Sequence, residues 1–213
     1  MFKKIPDHYL KKINTQCERI PTLYFHKNKV AQNFFWHRLE IANAIIEKNV
    51  ENKGICLDFG CGNGVFLPTL SSIFQKVIAV DLETQETKQI IKKYNLKNVE
   101  LITGDLDVLE LPKNKFDLVV ALDVLEHFKN AEAQVNKIKS ILKKESYLIT
   151  SLPTENLFTI LTRKVSGQPK PFDHYHKGKD IEKMIKNKNF YNIDRKILNI
   201  LYPMFYISLW KKI

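Results

Sequence analysis

The chain has 213 residues, of which 44% are hydrophobic. That length and composition suit one globular domain with a full core and exclude a disordered chain. No apolar run approaches the roughly 20 residues of a membrane-spanning helix, and no apolar segment like that of a secretory signal follows the N-terminal lysines. We therefore expect a cytoplasmic protein. The formal net charge of +11 leaves open a polyanionic partner such as nucleic acid or a membrane surface.

The first fifty residues are predicted to be helical. From Val30 to Ile46 the apolar positions recur at the spacing of one helix face, and the face is rich in aromatic residues. We interpret residues 1–50 as an N-terminal helical cap or lid over a pocket. Peripheral contact of this helix with a membrane surface is the alternative that its aromatic residues leave open.

From residue 51 onward, apolar segments of strand length alternate with helical segments. Nearly continuous apolar strands of this kind indicate a mostly parallel sheet that is buried on both faces, an α/β fold. The last two strands are separated only by a short stretch around Pro203, so they must pair antiparallel. The predicted strands are 55–59, 77–80, 99–103, 116–122, 147–151, 192–198 and 205–210, and the predicted helices between them include 84–94, 131–143 and 180–189.

A glycine-rich turn follows the first predicted strand. Gly60, Gly62 and Gly64 stand at alternate positions between this strand and the next helix. Glycines allow a sharp turn and the close approach of a ligand to the backbone, and the helix that follows offers free N–H groups. Val65 occupies the place of the third glycine in the dinucleotide fingerprint GxGxxG, which argues against a nicotinamide dehydrogenase.

Three acids end three successive predicted strands: Asp58, Asp81 and Asp105. The carboxyl ends of parallel strands meet at one edge of the sheet, where open α/β folds bind their ligands. A carboxylate at the end of the second strand can accept hydrogen bonds from ribose hydroxyls. The carboxylate of Asp105 can accept a hydrogen bond from the exocyclic amine of adenine, and Leu106 can pack nearby.

The segments ICLDFGCGNG, VIAVDL, ITGDL and FDLVVALDVLEHF resemble the ordered motifs of the Rossmann-like, class I S-adenosylmethionine-dependent methyltransferases. The narrower likeness is to the type 11 and ubiquinone-biosynthesis O-methyltransferase group. The resemblance covers roughly residues 50–212 and implies a methyltransferase domain at 51–213. It implies a doubly wound seven-stranded sheet of order 3-2-1-4-5-7-6 with strand 7 antiparallel. It also implies S-adenosylmethionine as cofactor and S-adenosylhomocysteine as product.

The same resemblance implies a role for each matching residue of the cofactor site. The glycines would line the methionine and ribose, Asp58 would hold the amino acid end, and Asp81 would bind the ribose. Leu82 would flank the adenine, and Leu122 would face the methionine. The complete set of expected cofactor-binding residues is Asp58, Gly60, Gly62, Gly64, Asp81, Leu82, Asp105, Leu106 and Leu122.

Candidate catalytic residues follow the fourth and fifth predicted strands. If residues 123–127 turn helically, Asp123, Glu126 and His127 share one face, and His174 lies in the loop at 164–179 that would help to choose the acceptor. A hydroxyl acceptor must lose its proton, so His127, Asp123 and His174 are the expected catalytic residues. Some ubiquinone-biosynthesis and small-RNA 2′-O-methyltransferases bind a divalent metal through a similar ExxEH segment and a distal histidine. Here Asp123 replaces the first glutamate, so we expect no metal and keep Asp123, Glu126, His127 and His174 as the alternative metal site.

The expected function is methylation of a hydroxyl on a small molecule, a lipid-linked intermediate or a glycan. RNA 2′-O-methylation is the first alternative, because the net charge suits nucleic acid although no RNA-binding module is recognisable. A noncatalytic S-adenosylmethionine-binding protein is the second. The sequence does not identify the acceptor, because one fold serves many substrates.

Overall fold

The computed structural model describes residues 1–17, 21–154, 174–199 and 203–213. Residues 164–173 of the loop expected beside the acceptor lie outside this described part. The helices are α1 Asp7–Cys17, α2 Lys29–Asn49, α3 Leu67–Ile73, α4 Gln85–Tyr94, α5 Ala131–Ile141 and α6 Gly178–Asn187. The strands are β1 Ile55–Phe59, β2 Lys76–Asp81, β3 Val99–Thr103, β4 Phe116–Leu122, β5 Leu142–Pro153, β6 Phe190–Asn199 and β7 Pro203–Lys212. Short 3₁₀ helices lie at Thr22–Phe25 and Leu125–His127.

The strands form one seven-stranded sheet in the order β3-β2-β1-β4-β5-β7-β6. All neighbouring strands among the first five, β1 to β5, pair in parallel. Strand β7 runs antiparallel to both β5 and β6. This topology confirms the predicted Rossmann-like methyltransferase fold. Because β1 lies between β2 and β4, Asp58 pairs with Ala79 on one side and Val120 on the other. The glycine turn after β1 therefore lies at the middle of the sheet's carboxyl edge.

Helices cover both faces of the sheet. On one face α1, α2, α3 and α4 pack against sheet residues such as Val77, Leu118 and Ile207, and Trp36 of α2 is completely buried there. On the other face α5 and α6 pack over residues such as Leu57. Burial on both faces explains why the central strands are almost continuously apolar.

The N-terminal segment is helical, as predicted, and shares the core of the sheet. Asn28 caps α2 by accepting the backbone N–H of Val30 at 2.9 Å. The indole of Trp36 donates to the carbonyl of Tyr24 at 2.9 Å, which ties the first 3₁₀ helix to α2. A separate cap at residues 1–50 and its role as a lid stay predictions. Among the described residues, no helix combines the length and apolarity needed to cross a membrane.

The boundary between α5 and β5 differs from the prediction. The helix was expected to reach residue 143, but α5 ends at Ile141 and β5 already begins at Leu142. Leu142 pairs with Phe116 of β4 before a bulge shifts the register. The helical pattern of the local sequence continues past the last helical turn. The pairing of Leu142 with β4 overrides that pattern and ends the helix early.

Candidate active site

The glycine turn after β1 needs glycine for two different reasons. Gly60, Gly62 and Gly64 have φ angles of +78°, +53° and +76°, a region that other residues rarely adopt. A Cβ on Gly60 would also lie 2.3 Å from Val124 Cγ2, whereas a Cβ on Gly62 would meet no atom of the described residues within 4 Å. The backbone N–H of Gly60 donates to the carbonyl of Val80 at 3.0 Å, which holds the turn against the end of β2.

Asp81 at the end of β2 is tied to the same turn. Its Oδ2 accepts the backbone N–H of Gly62 at 2.7 Å, and the hydroxyl of Thr87 donates to the Gly62 carbonyl at 2.8 Å. The neighbouring side chain, Leu82, is 60% exposed. Binding of the ribose by Asp81 and of the adenine by Leu82, which the family resemblance implied, stays a prediction.

Asp58 at the end of β1 is almost completely buried, with 4% of the residue exposed. Its Oδ2 has no hydrogen-bond partner among the described residues. Burial, and to a lesser extent the charge of Asp81, raises the pKa of Asp58 to about 7. A buried carboxylate oxygen without a partner is unfavourable. Its burial would be offset by a cationic or hydrogen-bond-donating group, and an amino acid ammonium group meets that need.

The third predicted acid lies differently. Asp105 is exposed, and its Oδ1 accepts the backbone N–H of Asp107 at 2.8 Å. Leu106 is 5% exposed and packs into the core beneath the sheet. Neither residue lines the cavity beside the glycine turn that is described next, so contact of this pair with adenine stays a prediction.

A cavity of about 510 Å³ lies at the carboxyl edge of the sheet beneath the N-terminal segment. Of the expected cofactor residues, Asp58, Gly60, Gly62 and Leu122 line it. Gly64, Asp81, Leu82, Asp105 and Leu106 lie outside the lining. The other described lining residues are Pro21, Leu23, Tyr24, Phe35, Arg38, Leu39, Cys61, Asn63, Val65, Phe66, Glu83, Glu86, Asp123, Glu126, His127, Pro153, His174 and Phe205.

Two predicted catalytic histidines meet in this cavity. The rings of His127 and His174 pack edge to face with centroids 4.7 Å apart. The backbone N–H of Tyr175 donates to the carbonyl of Glu126 at 2.9 Å, which holds the His174 segment against the second 3₁₀ helix. Ligand atoms of Glu126, His127 and His174 all lie within 4.8 Å of one another. The arrangement can exchange a proton with a bound molecule or hold a cation.

Asp123 does not share a helical face with Glu126 and His127, so that expectation was wrong. Its φ of +53° is left-handed, because the chain turns sharply as it leaves β4. Its backbone N–H donates to the Ser151 carbonyl at 2.9 Å, and its Oδ1 accepts the Ser151 hydroxyl at 2.7 Å. Its Oδ2 forms an ion pair with Arg38. Asp123 therefore lines the cavity but stands apart from the group of Glu126 and the two histidines.

Arg38 of α2 is a cavity residue that the sequence reasoning missed. It is 5% exposed, and its guanidinium carbon lies 3.9 Å from the ring centroid of Phe35. Besides pairing with Asp123, it donates to the Tyr24 hydroxyl at 2.8 Å. The sequence did contain a signal for Arg38, which is a charged residue on the apolar face of the helix predicted from Val30. A charge that faces a core requires a partner.

Replacing Arg38 with methionine is expected to destabilise the protein by about 2 kcal/mol, because it leaves the Asp123 carboxylate in a partly buried place without its cation. The free energy of unfolding in urea measures the change. The double variant Arg38→Met/Asp123→Asn should recover part of the loss. Full wild-type stability of the single variant would show that the ion pair does not fasten α2 to the end of β4.

The chain is similar to methyltransferases in sequence and in fold. Residues 57–150 match the family model described as a methyltransferase domain. A probable ribosomal RNA small subunit methyltransferase A of Pyrococcus furiosus is 32% identical over 95 residues, covering 45% of this chain and 34% of that protein. The ubiquinone biosynthesis O-methyltransferase of Colwellia psychrerythraea is 26% identical over 123 residues, covering 49% of each chain. The chain thus spans about a third to a half of these curated relatives.

Among solved structures, the fold matches the magnesium protoporphyrin IX methyltransferase of Synechocystis, crystallised with S-adenosylhomocysteine. The TM-score is 0.72 with 21% identity, and the match covers 96% of this chain and 98% of that one. The named acceptors of these similar proteins differ widely, from ribosomal RNA to a porphyrin. The similarity to this solved structure shows the fold, and the acceptor has to be argued from the cavity.

Proposed function

We propose that the chain is a class I S-adenosylmethionine-dependent methyltransferase that methylates a hydroxyl group of a small-molecule acceptor. The observation that carries this proposal is that one cavity joins two sets of residues. Asp58, Gly60 and Gly62 lie on the side expected for the cofactor, whereas His127 and His174 lie on the side expected for the acceptor. A volume of about 510 Å³ falls within the range of enclosed sites for small ligands.

The residues of the cofactor side fit S-adenosylmethionine. The Oδ2 of Asp58 has no hydrogen-bond partner in the described part of the chain and suits its ammonium group. The space that the described residues leave open beside Gly62 lets a ligand contact the backbone. When bound, S-adenosylmethionine supplies a methyl group activated by a positively charged sulfur. The contribution of the protein is to place the acceptor oxygen in line with that methyl group.

We assign the proton transfer to His127. Its imidazole lines the cavity next to His174, and a neutral imidazole can accept the acceptor's hydroxyl proton as the new bond forms. His174 packs against the ring and orients it. Asp123, held by Arg38 and Ser151, acts by keeping the end of β4 in place.

The charges of the cavity favour a neutral or cationic acceptor over RNA. Arg38 is the one permanently charged base among the described lining residues, and it is already paired with Asp123. The acids of the lining are Asp58, Glu83, Glu86, Asp123 and Glu126. The described lining therefore offers a phosphate group no lysine and no arginine other than the paired Arg38, whereas RNA binding relies on such cations. A lipid-linked or glycan acceptor remains compatible if its reacting part is uncharged, and we propose that the enzyme works in the cytoplasm.

Purified protein incubated with S-adenosylmethionine and separate pools of phenols, catechols, sugars and total RNA tests this proposal. We expect formation of S-adenosylhomocysteine with hydroxyl-bearing small molecules, and equal rates with and without EDTA because His127 needs no ion. Methylation of RNA alone would contradict the proposed acceptor class. A rate abolished by EDTA and restored by Mg²⁺ would instead assign Glu126, His127 and His174 to a metal.

The binding of S-adenosylhomocysteine should strengthen as the pH rises from 5.5 to 7.5. The pKa of Asp58 is raised to about 7, so the carboxyl group is protonated at the lower pH and cannot pair with an ammonium group. Ionisation through pH 7 restores that pairing, and the affinity follows it. Calorimetric titration across the range measures the trend, which should flatten in Asp58→Asn. An equal pH dependence in both proteins would exclude Asp58 as its source.

A further inference from the structure

Glu86 is a buried acid to which neither the sequence motifs nor the proposed reaction gives a role. It lies in the first turn of α4 and is 2% exposed. Its Oε1 is inaccessible to solvent and has no hydrogen-bond partner among the described residues. Within that same part of the chain, no cation forms an ion pair with its carboxylate.

Burial of such a group is unfavourable for the ligand-free protein. A carboxylate oxygen that leaves water without gaining a hydrogen bond destabilises the protein. The position at the start of α4 offsets a small part of this cost, because the helix dipole favours an acid there. The remaining cost would be offset if a bound molecule supplied a hydrogen-bond donor to the carboxylate.

The position of Glu86 indicates which molecule that is. Glu86 lines the same cavity as Asp58 and Gly62. The hydroxyl of the next residue, Thr87, donates a hydrogen bond to the carbonyl of Gly62. A Cβ on Gly64 would lie 2.8 Å from the Thr87 side chain. The start of α4 therefore packs directly against the glycine turn, on the side of the cavity assigned to the cofactor.

We propose that Glu86 is a further cofactor-binding residue, whose carboxylate accepts a hydrogen bond from S-adenosylmethionine. The groups with the required chemistry are the ammonium group of the amino acid and the hydroxyls of the ribose, both of which S-adenosylhomocysteine retains. This inference rests on the proposed function. It adds a third acid to Asp58 and Asp81, which the motifs had already indicated.

Calorimetric titration of Glu86→Gln with S-adenosylhomocysteine and with 5′-methylthioadenosine tests the proposal. The latter has the ribose but lacks the amino acid. We expect S-adenosylhomocysteine to bind about tenfold more weakly, as for the loss of a hydrogen bond to a charged group. A loss confined to S-adenosylhomocysteine identifies the ammonium group as the partner, and a loss with both ligands identifies the ribose. Unchanged affinity for both overturns the proposal.

Thermal unfolding of the ligand-free proteins gives a second readout. Because Glu86→Gln removes a buried charge, it should unfold at a temperature equal to or above that of the wild type. A large decrease would show that Glu86 stabilises the fold and would overturn the ligand-binding role. Glu86→Met, which has a similar volume and no charge, provides the same comparison if the glutamine variant does not fold.

The controls separate this inference from the proposed function. Glu110→Gln changes an exposed acid outside the cavity and should bind both ligands as the wild type does. If the wild-type protein binds neither ligand, the proposed function itself fails. If the wild type binds and Glu86→Gln binds equally well, only the assignment of Glu86 fails.

Discussion

Replacing Gly62 with alanine is expected to weaken S-adenosylhomocysteine binding roughly 100-fold while the protein still folds. The added Cβ meets no atom within 4 Å in the part of the chain that the structure describes, and Gly62 lines the cavity. The methyl group would therefore occupy space that the ligand needs, and overpacking of this kind costs about 1–3 kcal/mol. The φ of +53° adds a strain of about 1 kcal/mol to the folded state. Calorimetry and thermal unfolding measure the two effects separately.

Gly104→Ala is the matched control for this prediction. Its added Cβ would make an ordinary contact at 3.7 Å with Leu109, and Gly104 does not have a positive φ. This variant should bind S-adenosylhomocysteine as the wild type does. If Gly62→Ala also kept wild-type affinity, the ligand could not lie against the glycine turn.

The second large effect is expected from His127→Ala. Loss of a general base slows turnover by about 10²- to 10⁴-fold, and we expect the affinity for S-adenosylhomocysteine to change by less than about twofold. The reason for this separation is that the imidazole lies with His174 on the acceptor side of the cavity. Steady-state rates with an acceptor found in the small-molecule pools, together with calorimetry, measure the two quantities.

His176→Ala serves as the comparison for His127. His176 lies two residues beyond His174, and its Nε2 contacts the carbonyl of Lys129 at 3.1 Å, outside the cavity lining. We expect this variant to keep most of the activity. Turnover by His127→Ala at the wild-type rate would remove His127 from the mechanism.

The sequence predicted the sheet well because its central strands are short apolar segments between turn residues. The strands 55–59, 99–103 and 116–122 were predicted with the bounds that the structure has. The final antiparallel pair followed from the short connection around Pro203. The start of β5 was missed because Leu142 joins the strand through its pairing with β4. The local periodicity of the sequence does not reveal such a contact.

The cofactor side of the site was more predictable than the acceptor side. Glycines and acids at strand ends are set by local geometry, so Asp58, Gly60 and Gly62 could be placed at one sheet edge from the sequence. The left-handed turn at Asp123 depends instead on its bonds to Ser151 and Arg38. These partners come from β5 and α2, and no local pattern specifies such distant contacts.

Calorimetric titration of the purified wild-type protein with S-adenosylmethionine and S-adenosylhomocysteine tests the central claim most directly. If the cavity at the glycine turn is the methyl-donor site, both molecules should bind with one site per chain and compete with each other. The absence of heat or saturation with either molecule at millimolar concentration would contradict the assignment of Asp58, Gly60 and Gly62 to that site.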